Sequence, residues 1–453
     1  MKKYFSILTI IVLLSFLGVW SIVSGGYDNQ NKIILFLKEL IPNKIAKKVR
    51  DTIFIIPNLK EQNRVYKLQV AKYEQGYDGN LFEEINTKSQ EKKYSYNLKK
   101  FFLPFKRLDI RLGWQAEENS KRAHYLDIIN ENVLVMSGLG ETIYFKKENI
   151  LSEKLYQNNI ENNIEKILSA KNSKLLGIRD LLYDANFIYI SLIEMGKKGA
   201  TMNIYRAKSN FDYLEFELFF ETQEFTEKYS LQTGGRLEKF KDDKILLSVG
   251  FLGKYDQAQK ENNLAGKIIS IDKNSRQFDL ISKGHRNPQG LFYLAEDNLI
   301  INTEHGPKGG DEINLNFLSE NEIKNYGWPI SSYGEPYPQL KELFKEKGYL
   351  KTSHKDNNFE EPIKYFVPSI GISELIHIKE SPQKNLSRRI FASSLRATSI
   401  YIIEINDKYD KVINMDRVFI PNNRIRDLKY DSESKNFIAI LENIPAIAVI
   451  KIN

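Results

Sequence analysis

The stretch GHRNPQGLFYLAEDNLIINTEHGPKGGDEINL, residues 284–315, decides how the chain is read. At its centre NLIIN is a short run of Leu and Ile bounded by turn residues, the mark of a buried strand. On either side stand groups that no strand needs in order to fold. His285, Arg286, Asn287 and Gln289 come before it, and His305, Lys308, Asp311 and Glu312 follow, punctuated by Gly and Pro. Polar loops carried on a rigid strand framework are where binding and catalysis concentrate.

Strands of the same type recur outward from this one. NVLVMSG, FIYISLIEMG, KILLSVG, NLIINTEHG, RIFASSL and NFIAILE begin near residues 132, 187, 244, 298, 389 and 436, each with further strand segments after it. The interval is about fifty residues, apart from one longer gap. That gap carries an insertion around Asn325–Pro362. A unit of several strands repeated six times predicts an all-β, six-bladed β-propeller over residues 121–453. One unit cannot bury both faces of its sheet, and a ring of units can. A two-sheet sandwich is the rival, but the repeat region is long for one. Taking the six runs as the first strands of their blades, GHRNPQGL and EHGPKGGDE fall at or beside one end of the central channel.

The 453 residues carry a net charge of +8, from 66 basic and 58 acidic residues. No sustained basic run with interleaved aromatics is present, which argues against a nucleic-acid partner. The chain has no cysteine, so disulfides, thiolate metal sites and iron–sulfur clusters are excluded. Lys2 and Lys3 precede an uncharged, mostly apolar run, Tyr4–Val23. As a helix it would span about 30 Å, the thickness of a bilayer core. Residues 1–27 are therefore expected to form a signal anchor, an N-terminal transmembrane helix. The positive-inside rule then predicts a single pass through the inner membrane, with the propeller on the periplasmic or extracytoplasmic side. A long cleaved signal peptide is the alternative. Residues 28–120 read as a short mixed or helical membrane-proximal neck. KIILFLKELIP and NKIAKKVRDTIFIIPNL have helical spacing ended by Pro42 and Pro57, and EINTKSQEKKYSYNLKK reads as a polar loop.

Chemically, Arg286 offers an always-charged planar fork suited to carboxylates. In HGPKGG the glycines expose backbone carbonyls and Pro307 has no N–H, and carbonyl oxygens suit a hard cation such as Ca²⁺. Asp311 and Glu312 add carboxylates just beyond. The residues alone allow two readings: an anionic ligand beside Ca²⁺, or a glycine-rich turn pinned by Arg–Glu pairs.

GHRNPQGL, TEHGPKGGDEINL and NYGWP together resemble the soluble quinoprotein glucose and aldose sugar dehydrogenase family. TGGRL with ILLSVG, AGKIISID, VPSIGIS, SSLRATSIYIIEI and NNRIRDL match further segments in the same order, over roughly residues 165–453. The resemblance implies a six-bladed propeller that binds pyrroloquinoline quinone (PQQ) with Ca²⁺. It also implies oxidation of an aldose sugar or related alcohol, with electrons passed to an external acceptor. Arg286 and Asn287 match positions contacting the quinone, and Arg396 matches a cofactor-binding lysine. Arg424 and Arg426 match two arginines that meet its carboxylates. The carbonyls of Gly306 and Pro307 match Ca²⁺ ligands at the cofactor, and Glu312 and Tyr326 match a second, structural Ca²⁺ site. A polyanion would satisfy the four arginines, which are expected to come from different blades. The alternative for Arg424 and Arg426 is a salt-bridged strand face paired with Asp427 or its neighbours.

In one wall the sequence departs from the family. YSLQTGGRL places Gln232 where the family has its catalytic histidine, and Leu231 at the acidic position before it. Asn172, in KNSKLLG, stands where a glutamine contacts the cofactor. Glutamine cannot take and hold a proton near neutral pH. His285 and His305 belong to the matched motifs and are read as structural. Two further functions stay open: a propeller that binds a quinone or other ligand without catalysis, and a Ca²⁺-dependent, lactonase-like propeller hydrolase.

Overall fold

The apolar runs fold as strands in the computed structural model: Asn132–Ser137, Phe187–Gly196, Lys244–Val249, Leu299–Glu304, Arg388–Ser394 and Asn436–Leu441. Each lies inside its own sheet, antiparallel apart from a two-residue parallel edge strand in two of them, and the sheets number six among the described residues. Those residues are 82–88, 95–105, 123–151, 156–227, 230, 232–319, 322–378, 388–421, 423–443 and 445–452. The chain divides into two compact units, Met1–Gly76 and Tyr77–Asn453, and every described residue belongs to the second. The Tyr4–Val23 run and the helices expected before Pro57 lie outside the described residues, and no described helix is long and apolar enough to cross a membrane.

The apolar runs are the second strand of each sheet, not the first. The innermost strands are His124–Ile129, Lys174–Asp184, Gly234–Phe240, Pro288–Leu294, Ile372–Ile378 and Ile425–Asp431, here numbered blades 1 to 6. Each contacts the innermost strand of the blade on either side, and the sixth returns to the first, so the sheets close into a six-bladed propeller. The reason for the misreading is chemical. These strands line the axis and carry Arg179, Asp180, Arg236, Gly290, Glu374, Arg426 and Asp427 in place of an apolar run.

The ring is shut by the segment read as a polar loop. Phe82–Lys88 and Ser95–Phe102 form a hairpin whose second strand pairs antiparallel with Ala446–Ile452, from Tyr96 opposite Ile452 to Phe102 opposite Ala446. Blade 6 is thus built from both ends of the propeller chain, and the expected neck, 28–120, does not stop short of the propeller. Tyr96, Leu98, Phe101 and Phe102 are all buried. Burying side chains of this size contributes about 1.5–3 kcal/mol each, which outweighs the lysines that give the stretch its polar look.

Apolar clusters fill the wedges between neighbouring blades, among them Leu134, Ile178 and Ile190 between blades 1 and 2, and Ile301, Ile372 and Ile403 between blades 4 and 5. On the axis the contacts are polar. Arg236 Nη1 lies 3.0 Å from Asp180, 3.0 Å from Glu374 and 3.1 Å from Asp427. Its Nε donates to Gln289 O at 2.6 Å and its Nη2 to Arg426 O at 2.9 Å. Its guanidinium also stands 5.0 Å from the centre of the Tyr125 ring. One side chain of blade 3 therefore touches the other five blades. The acids in turn bind backbone N–H groups of neighbouring blades: Asp180 that of Leu237, Asp427 that of Leu126 and Glu374 that of Leu291.

Removing one partner of a buried charge cluster costs about 3–5 kcal/mol, because the remaining charges lose compensation. Arg236→Met should lower the unfolding free energy in urea by about that amount. A loss below about 1 kcal/mol, the scale of a surface ion pair, would show that the hub does not hold the blades.

Candidate functional site

The innermost strands run the same way, so the loops entering them share one end of the axis with the loops leaving the second strands. Topology thereby gathers Gln232 before blade 3, Arg286 and Asn287 before blade 4, and Arg424 and Arg426 at blade 6. The 305–310 loop leaves Leu299–Glu304 at this same end, Arg396 follows Arg388–Ser394, and Glu442 follows Asn436–Leu441.

Arg286 is 7% exposed, and its Nη1 donates to His305 O at 2.8 Å. Its Nε is buried without a hydrogen-bond partner, and no described carboxylate forms a salt bridge with it. The guanidinium centre lies 5.1 Å from the Trp328 ring and 5.8 Å from that of Phe251. Burial pulls its pKa below the usual arginine value, with Tyr337 and Asp311 opposing. A buried cation with a spare donor favours an anion beside it.

Arg424 and Arg426 are not paired with Asp427, whose carboxylate serves Arg236. Both turn to Glu442, at 2.9 Å and 2.5 Å. Arg426 Nη1 also donates to Gln289 Oε1 at 3.0 Å. Two guanidiniums thus share one buried carboxylate and the mouth keeps a positive excess. Arg179, a buried side chain hydrogen-bonded to Tyr125, adds to it. Arg396 is exposed and packs against Gly371, so the four expected arginines come from three blades and one of them faces solvent.

Gln232 is half-buried, and its Oε1 accepts from Ser230 Oγ at 2.9 Å. Its carbonyl accepts from Leu252 N–H at 3.1 Å. Asn287 Oδ1 accepts from Gly234 N–H at 3.1 Å, which fixes the TGGR turn against blade 4. The two glycines of that turn have φ of +63° and +106°, and a side chain on the second would strike Arg179. Leu231 lies outside the described residues. Asn172 sits on an exposed turn after the helix Ile164–Ala170, at φ +53°.

In the 305–310 loop, Asp311 is fully used. It accepts from Gly306 N–H at 3.2 Å, Ser369 Oγ at 2.7 Å, and the N–H groups of Gly371 and Ile372 at 2.7 and 3.1 Å. The carboxylate that the sequence places just beyond the glycine loop is thus a loop clamp. Pro307 O accepts one bond, from Tyr337 Oη at 2.9 Å, leaving a lone pair, and no described residue donates to Gly306 O. These two carbonyls fit a hard cation. Glu312 and Tyr326 do not. Glu312 Oε1 is taken by His354 Nε2 at 3.0 Å, and the Tyr326 hydroxyl by Leu315 O at 2.9 Å. His285 is held by Ser282 and Glu304, and His305 by Ile372 O.

Asp180, Glu374 and Asp427 come close enough to hold a metal, but the Arg236 guanidinium already lies among them. Burial pushes Asp180 up to about 6 and Glu374 up to about 7, against the pull of Arg236. Sequence reasoning missed Arg236, Glu442, Arg179 and Trp328 as site residues. The quoted motifs contained Arg236 and Trp328, but nothing local marks them as such, while Glu442 acts only through its distance to blade 6's own arginines.

Near the mouth His124 is 2% exposed, packs 5.1 Å from Phe105, and has no partner at Nδ1. Burial lowers its pKa to about 4, with Glu442 pulling the other way. The unfolded chain binds this proton near pH 6.5 and the folded chain only near 4, so His124 costs stability as pH falls through that window. The effect is on the order of 3 kcal/mol. His124→Phe should flatten the loss between pH 6.5 and 4 relative to the parent, and parallel stability profiles would refute the assignment.

A sequence profile of the Glucose / Sorbosone dehydrogenase family matches residues 130–444. The aldose sugar dehydrogenase YliI of Escherichia coli (strain K12) is 27% identical over 210 residues, 43% of this chain and 53% of that one, so the match spans about half of that relative. The crystal structure of the apo-form of the soluble aldose sugar dehydrogenase from Escherichia coli superposes with a TM-score of 0.57 at 19% identity, covering 79% of this chain and 99% of that one. The PQQ-bound aldose sugar dehydrogenase from Streptomyces coelicolor gives 0.53 at 15%, covering 79% and 98%. At these identities the structural likeness establishes the fold.

Proposed function

Because the chain belongs to the glucose/sorbosone dehydrogenase family, a family of quinoprotein sugar oxidoreductases, we propose that its mouth binds PQQ together with Ca²⁺ and serves the oxidation of an aldose sugar or related alcohol. The observation that carries this reading is Arg286: a buried guanidinium with an unpartnered Nε, beside two arginines that share one carboxylate. An anionic quinone satisfies that excess. Arg286, Arg424 and Arg426 would hold its carboxylates, and the carbonyls of Gly306 and Pro307 would hold the cation. When bound, the quinone supplies the two-electron acceptor.

The chain's own residues then set how well the reaction runs. Arg286, backed by Trp328 and Phe251, supplies a rigid positive charge in a site shielded from water, where such a charge is worth more than in solution. Asn287 fixes the turn that carries Gln232. The amide at 232 has its oxygen bonded to Ser230 and accepts no proton from a substrate hydroxyl. A positioned base is worth about 10²–10⁴-fold in rate. We therefore expect quinone binding with weak turnover of ordinary aldoses, and Gln232→His to raise that turnover. The same observation favours the second reading, a quinone-binding propeller with little catalysis.

Titration of the purified chain with PQQ and Ca²⁺, followed by quinone fluorescence, tests the reading. Arg424→Ala should weaken binding on the order of 10–100-fold, the worth of one charge-assisted hydrogen bond. Absence of quinone binding in the parent would remove the dehydrogenase reading, and unchanged affinity in Arg424→Ala would return this arginine to a structural pair. Dye reduction across an aldose panel reads the chemistry separately. Rapid glucose oxidation in the parent that Gln232→His does not raise would contradict the role given to position 232.

We also propose that Tyr4–Val23 anchors the chain in the inner membrane with the propeller outside the cytoplasm, on the strength of its length and the lysines before it. Protease added to spheroplasts should digest the propeller while a cytoplasmic marker survives; protection of both would reverse the topology.

A further inference from the structure

The second calcium that the resemblance assigns to Glu312 and Tyr326 meets a side chain instead. His354, from the Asn325–Pro362 insertion, brings Nε2 to 3.0 Å from Glu312 Oε1. On the other edge of the ring, its Nδ1 lies 2.7 Å from where a Cβ on Gly327 would stand. The imidazole therefore stands between the Glu312 carboxylate and Gly327, the residue after Tyr326, and takes up the space beside both residues assigned to the ion. Gly327, at φ +84°, is what leaves the slot open, since any side chain there would also press on Phe359. His354 and Glu312 are 2% and 5% exposed. Tyr333 packs 5.2 Å above the imidazole.

The remaining donors do not suit a cation. Ca²⁺ takes six to eight oxygens at about 2.3–2.6 Å. Here Glu312 Oε2 faces the Asn314 amide at 3.5 Å, and the Tyr326 hydroxyl is turned away to Leu315 O. A ring N–H against a buried carboxylate is itself a strong hydrogen bond and needs no ion.

We infer that the His354 imidazole takes the place of the second calcium ion, so that a side chain fastens the insertion to blade 4. The fastening reaches the mouth. Asn314 donates to Glu304 at 2.7 Å, Glu304 accepts the Arg286 N–H at 2.7 Å, and Trp328, two residues beyond Tyr326, lies against the Arg286 guanidinium. His354 is accordingly a positioning residue for the loop under Arg286.

The test does not depend on the proposed activity. The full chain is loaded with Ca²⁺, with and without PQQ, and its bound metal is counted by native mass spectrometry. Glu312→Gln should leave the count unchanged; a count that falls by one would overturn the inference. In thermal melts, His354→Ala should lower the melting temperature by several degrees, and His354→Gln, whose amide can still donate to Glu312, should recover part of it. An unchanged melting temperature in His354→Ala would also overturn the inference. Should His354→Ala fail to fold, the metal count of Glu312→Gln decides. Failure of quinone binding sinks the proposed function and leaves these results standing.

Discussion

One guanidinium, that of Arg236, is the constraint on which the rest depends. Three carboxylates from blades 2, 5 and 6 converge on the propeller axis, and none could be buried there without a shared cation. Arg236 supplies it while also bonding carbonyls of blades 4 and 6 and lying over Tyr125 of blade 1. Lys429 adds a second cation beside the same three acids. Glu442 satisfies part of the charge of Arg424 and Arg426, and Arg286 has an aromatic backing in place of a carboxylate. The acid cluster on the axis and the arginines above it are two parts of one arrangement, and those arginines are what make the mouth fit an anion.

What the sequence revealed follows from where each signal is stored. The six apolar strands were legible because both of their faces are buried between neighbours, which writes a dense run of Ile, Leu and Val. The innermost strands were not, because the axis demands Arg, Asp, Glu and Gly in the same register. The chain segments richest in chemistry were thus the poorest in strand signal, and the opening stretch was read as entering the strand Leu299–Glu304 when it already contained the innermost strand Pro288–Leu294. The closing hairpin was hidden similarly: Lys99 and Lys100 mask the alternation of Tyr96 and Leu98.

The site shows the same division. Arg286, Asn287, Arg424, Arg426 and the Gly306–Pro307 carbonyls were singled out by motif, and the topology brings all of them to one end of the axis. Partners distant in sequence were not legible. Glu442 displaced Asp427 as the acid of the two arginines, Asp311 proved a clamp between the 305–310 loop and the 369–372 segment, and His354 occupies the space given to a metal. Each depends on which surplus group a fold happens to leave nearby. Position 232 is the converse case: a single residue, fully legible, on which the proposed separation of cofactor binding from turnover rests.

A crystal structure of the full chain grown with PQQ and Ca²⁺ would show whether the arginines at the mouth hold an anionic quinone. The quinone should be seated at the mouth with its carboxylates against Arg286, Arg424 and Arg426 and one cation on the carbonyls of Gly306 and Pro307. A structure in which those arginines keep only the protein partners they have here, with the quinone absent or bound elsewhere, would contradict it.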